Sequence, residues 1–174
     1  MNLAVPLFLR AIEESPISTW IRDSPSPFAY WLILTIHAIG MGVLVGASTV
    51  LDLRLLGVAP DLPIAPLRRL YPIMWVGFWI QVASGVLLVI AFPTKALTNP
   101  VFYIKLGLIG LAMVMMLMLK KCIFNNSSLD DDEGVMRKGR ILAAWSLVCW
   151  AAAMTAGRFL AYTAKYLVYP GGSS

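Results

Sequence analysis

A single histidine, His37, stands in the 174-residue chain, and it falls inside a long apolar run. An imidazole in such a place could ligate a haem iron or another metal, take part in quinone or proton chemistry, or hydrogen-bond across helices. At 100° per residue, Met41, Leu44, Ser48 and Asp52 share its face of a helix. Ala38, Gly42 and Gly46 fall on the far side as a small-residue ridge suited to close helix contact. Gln81 is spaced to share a face with Gly77, Ser84 and Gly85. Its plain reading is a hydrogen bond to a neighbouring helix; its functional reading is the wall of a pocket for a flat ligand. Lys105 and Arg158 each lie about one turn inside the same end of an apolar run. Long basic side chains there snorkel to the headgroups, or together form an anion-binding collar.

These residues suit a b-type haem. His37 would be the axial ligand and the metal-binding residue, and Arg158 and Lys105 would pair with the propionates. Gln81 would line the pocket, and Trp31, Trp75 and Trp79 would pack round the ring edge. The sixth position would fall to Met41, to Met154, to a second copy's His37 in a homodimer, or to no residue. Met41, one turn along the same helix, cannot reach the opposite face. Against the haem stands structural hydrogen bonding by the same imidazole. Met113, Met115, Met116 and Met118 carry thioethers that bind Cu(I), but no cysteine or histidine joins them at ligand spacing. Apolar filling is the weightier reading. Asp52 lies in line with Ser48 and His37, although pairing with Arg54, Arg68 or Arg69 at the membrane surface is expected instead. The consecutive acids Asp130, Asp131, Asp132 and Glu133 lack the alternation of a calcium loop. No hydrolase elbow, P-loop, dinucleotide fingerprint or zinc-peptidase motif is present.

The elements that must position these residues follow from composition. The chain is 59% hydrophobic and 13% charged, with mean hydropathy +0.78. A soluble domain carries roughly 25% charged residues, so a cytosolic enzyme, a disordered chain and a fibrous repeat are excluded. Four apolar runs, at about 28–51, 73–92, 101–119 and 141–162, are each long enough to cross a bilayer as a helix. Pro27, Pro72 and Pro100 stand near their starts, where a missing N–H costs nothing. The segment before them has Arg10 inside its apolar stretch and is not a signal peptide; it predicts a short interfacial helix, with Trp20 and Arg22 at the same depth. Pro66 to Leu70 predicts a similar short element. Cys122 and Cys149 make no disulfide framework. The net charge of +5 comes from basic residues at the edges of the runs, which points to membrane and not to nucleic acid.

Orientation follows from the same residues. Arg54, Arg68, Arg69, Lys120, Lys121, Arg137, Lys138 and Arg140 flank one side. Arg10, Arg22, Lys95, Lys105 and Lys165 flank the other. The excess places the two basic loops in the cytoplasm and both termini in the periplasm. The sequons in Asn125-Asn126-Ser127-Ser128 would then be cytoplasmic and without meaning. Gly171 to Ser174 reads as a frayed tail.

The chain resembles a family of small bacterial membrane proteins of unknown function. The resemblance rests on Leu34-Thr35-Ile36-His37-Ala38-Ile39-Gly40-Met41, Leu44-Val45-Gly46-Ala47 and Leu51-Asp52-Leu53-Arg54-Leu55-Leu56-Gly57. It extends to Pro66-Leu67-Arg68-Arg69-Leu70, Trp75-Val76-Gly77-Phe78-Trp79-Ile80 and Thr155-Ala156-Gly157-Arg158. It implies a four-helix inner-membrane protein without an established activity. A looser likeness to copper-resistance D-type and b561-type membrane bundles implies the haem by analogy, but b561 proteins carry several paired histidines. The expectation is therefore an all-α, single-domain bundle (1–174) of four transmembrane helices with a short N-terminal interfacial helix. It would hold one haem near the periplasmic face and pass electrons between quinol or a membrane oxidoreductase and a periplasmic redox protein. The alternatives are a non-redox accessory or scaffold subunit, and copper or small-solute transport.

Overall fold

In hydrocarbon every backbone N–H and C=O must be satisfied inside the segment that carries it, and this chain answers with helices throughout. The computed structural model describes residues 6–124 and 133–167. The helices are α1 (Leu7–Glu13), α2 (Pro16–Asp23), α3 (Tyr30–Leu56), α4 (Ile64–Leu67), α5 (Leu70–Ala91), α6 (Pro93–Leu97), α7 (Pro100–Phe124) and α8 (Glu133–Leu167). No strand occurs among the described residues. α3, α5, α7 and α8 are each long and apolar enough to cross a membrane. The all-α membrane bundle is thus as expected.

The long helices outrun the apolar runs at one end. α3 continues to Leu56, α7 to Phe124, and α8 begins at Glu133. Lys120, Lys121, Arg137, Lys138 and Arg140 end the hydrophobicity but are good helix formers, so the backbone continues past them. Gly57 stops α3 in the left-handed region, at φ 89°. There Val58 N–H bonds to Leu53 O and Gly57 N–H to Arg54 O, the Schellman pattern that glycine permits.

α3 packs along α5, α7 along α8, and the two hairpins meet through α3 and α8. No comparable seam joins α5 to α7 among the described residues. The closest approach is made by glycines: a Cβ on Gly77 would lie 2.9 Å from Leu44 N and 3.1 Å from Gly40 O. The ridge expected to make close contact, Ala38, Gly42 and Gly46, is instead exposed. A Cβ on Gly42 or Gly46 would meet nothing within 4 Å. The opposite face carries His37, Ser48 and Asp52, and polar groups in a membrane chain turn toward protein. Leu44, Leu51, Leu55, Met74, Met113, Met116 and Leu119 fill the core, while Met118 faces outward.

The N-terminal segment forms two short helices where one was expected. Ser15 accepts a hydrogen bond from Ser18 N–H and Pro16 occupies the first turn of α2, a cap-and-proline start that breaks the helix before it. Ser18 Oγ donates to Ala91 O at 3.3 Å, using a carbonyl that the end of α5 leaves without a helical partner. Thr94 Oγ1 donates to Glu13 at 2.7 Å, and Arg22 stands 3.8 Å from the same carboxylate. These contacts clamp α1 and α2 over the end of the bundle where α5 finishes. The element expected at Pro66 to Leu70 is α4, shifted two residues earlier. The sequons, the run Asp130 to Asp132 and the tail Gly171 to Ser174 lie outside the described residues.

Candidate functional site

His37 lies two turns into α3, facing the second half of α5. Gln81 Nε2 is 2.9 Å from His37 Nε2, and His37 Nδ1 is 2.9 Å from Ser84 Oγ. The amide N–H therefore donates to Nε2, and the network assigns the ring proton to Nδ1. Nδ1–H donates to Ser84 Oγ, whose hydroxyl donates in turn to Ile80 O at 2.6 Å. A Cβ on Gly85 would lie 3.3 Å from His37 Cε1, so the ring edge rests where α5 carries no side chain. Sequence spacing brings Gln81, Ser84 and Gly85 to one face; the structure shows that face seated on the imidazole.

This arrangement does not fit a haem. An iron would need a ring nitrogen lone pair, and the one on Nε2 is taken by Gln81. Met41, Leu44, Gln81, Lys105, Ile109, Trp150, Ala153 and Met154 line a cavity of about 10 Å³. That is about the room one water needs, far short of a macrocycle. The expected cationic collar is divided. Lys105 turns inward, its Cε 3.7 Å from where a Gly157 Cβ would stand, whereas Arg158 is exposed. Met41 does reach the cavity, but from the helix that carries His37. Trp31 and Trp79 are more than half exposed on the outer surface and surround no ring. Met113 and Met116 pack in the apolar core, and no group of three metal-binding His, Cys, Asp or Glu residues forms among the described residues.

A second polar cluster lies near the opposite end of the bundle, around Asp52, which is 0% exposed. Ser48 Oγ donates to Asp52 Oδ2 at 3.3 Å, and Trp150 Nε1–H donates to Ser48 Oγ at 3.1 Å. The hydroxyl of Ser146 lies against the carboxyl, and Tyr71 stands nearby. Lys120 Nζ sits over the Tyr71 ring, 5.7 Å from its centroid. Neither Asp52 Oδ1 nor Ser146 Oγ completes a hydrogen bond among the described residues. The expected pairing with Arg54, Arg68 or Arg69 does not form. Arg54 follows Asp52 by two residues, so it points some 200° round the helix and donates to Leu62 O. Arg68 and Arg69 are exposed.

Sequence reasoning placed Asp52 in line with Ser48 but missed Ser146, Trp150 and Tyr71. The available signal was the i, i+4 spacing of Ser146 and Trp150, which puts a hydroxyl and an indole N–H on one face of α8. Neither a family model, nor a curated protein, nor a solved structure matches this chain.

Proposed function

We propose that this integral membrane protein acts without a cofactor, as a non-redox accessory or scaffold subunit of the bacterial inner membrane. One observation carries the reading: both nitrogens of the only imidazole are committed to hydrogen bonds with α5. Such interhelical bonds are worth roughly 0.6–2 kcal/mol each inside a bilayer, and two on one ring fix the rotation of α3 against α5. The excess of Lys and Arg at the loop end supports an orientation with both termini in the periplasm, and the exposed apolar faces of the four helices suit lipid contact.

The test is spectroscopic and structural together. After expression with haem supplied, the purified protein should show no Soret band. His37→Ala should lower the thermal midpoint in detergent, and His37→Gln or His37→Asn should recover much of the loss by restoring a polar partner for Gln81 and Ser84. A Soret band that disappears in His37→Ala would overturn the proposal and return the electron-transfer reading.

A further inference from the structure

A carboxyl inside a helical bundle ordinarily meets a counter-charge, because an uncompensated charge there is destabilised by several kcal/mol. Among the described residues, no element supplies one in contact with Asp52. α3 offers Ser48, with Arg54 turned away to Leu62 O. α5 offers the Tyr71 hydroxyl, with Arg68 and Arg69 exposed before it. α7 offers Lys120, held over the Tyr71 ring and not on the carboxyl. α8 offers Ser146 and Trp150, with Cys149 buried on the same helix. Among the described residues, the groups lying against the carboxyl, Ser48 and Ser146, are therefore both uncharged hydroxyls.

The direction of the hydrogen bonds adds a second constraint. The chain runs from Trp150 N–H to Ser48 Oγ to Asp52 Oδ2, and an indole N–H donates but cannot accept. Along this chain a proton can therefore pass no further inward than the Ser48 hydroxyl. Toward the loop end, by contrast, the way to water is short, since α5 begins at Leu70. Asp52 itself is one turn from the end of α3.

We propose that Asp52, with the Ser48 and Ser146 hydroxyls, forms a proton-binding site that exchanges only with water at the loop end of the bundle. A proton arriving from that side is taken up at Asp52 Oδ1, the carboxylate oxygen that accepts no hydrogen bond among the described residues, leaving a neutral carboxylic acid. Release runs the same steps backwards, so the site loads and unloads from one side and does not conduct. This proposal is independent of the role given to His37.

Infrared difference spectroscopy of the full chain in lipid vesicles tests it. A carboxylic-acid C=O band should come and go with pH and be lost in Asp52→Asn. Should that variant not fold, Asp52→Glu provides the same readout as a displaced band. Tyr71→Phe should keep the band. A pH step should be effective from one face of the vesicle only, and exchanging choline for sodium should leave the titration unmoved. A response from both faces, a midpoint that moves with sodium, or a band that Asp52→Asn and Asp52→Glu both leave unaltered would overturn the proposal.

Discussion

The indole of Trp150 tests how tightly the two polar clusters hold the bundle. Trp150→Phe keeps an aromatic ring in the core but removes the donor to Ser48 Oγ. A buried hydroxyl left without its donor costs about 1–3 kcal/mol, so the thermal midpoint in detergent should fall while the helical content stays unchanged. An unaltered midpoint would show that the bond carries no weight. Gly85→Ala examines the other cluster, since its Cβ would press on His37 Cε1 at 3.3 Å. We expect a loss on the order of 1 kcal/mol, and in a His37→Ala background the same change should become nearly neutral, as a double-mutant cycle would show. At this scale the His37 partners were legible, because Gln81 and Ser84 are polar exceptions in an apolar helix with a shared face. The Asp52 partners were not, because the rotation of α8 decides whether Ser146 and Trp150 face the bundle, and an almost wholly apolar surround leaves that rotation unmarked.

Between elements, the contact of α3 with α5 depends on missing side chains. Gly77→Ala would set a Cβ 2.9 Å from Leu44 N, a backbone atom that cannot swing aside. The helices must then separate, and overpacking of this kind costs roughly 1–3 kcal/mol. Gly42→Ala, facing open space, should change stability by less than about 0.5 kcal/mol. Unfolding both variants in denaturing detergent would separate them; equal losses would mean that Gly42 too lies against protein. Glycine spacing announced that close approaches exist but not which glycines make them. In water the apolar stripe of a helix names its buried face, whereas helices apolar all round give no such sign. Only His37, Ser48 and Asp52 marked the inward face of α3. The N-terminal clamp was hidden for another reason: it depends on Ser18 and Thr94 meeting Ala91 O and Glu13 across more than seventy residues, pairings that no local pattern contains.

For the molecule as a whole, the number of membrane-long helices followed from hydropathy and length, since lipid permits few other solutions. Orientation rests on charge bias and has its own test. Glu14, between α1 and α2, and Asp61, in the connection after α3, are both exposed. In a cysteine-free background, a membrane-impermeant maleimide applied to spheroplasts should label Glu14→Cys and spare Asp61→Cys. The reverse result would invert the topology. The missing seam between α5 and α7 has a further bearing. Gln81 of α5 and Lys105 and Ile109 of α7 all border the central cavity, so the least obstructed approach to it is sideways, from acyl chains, and not along the bundle axis. A water-sized guest beside Gln81 would then exchange with the lipid side more readily than with the buffer on either side.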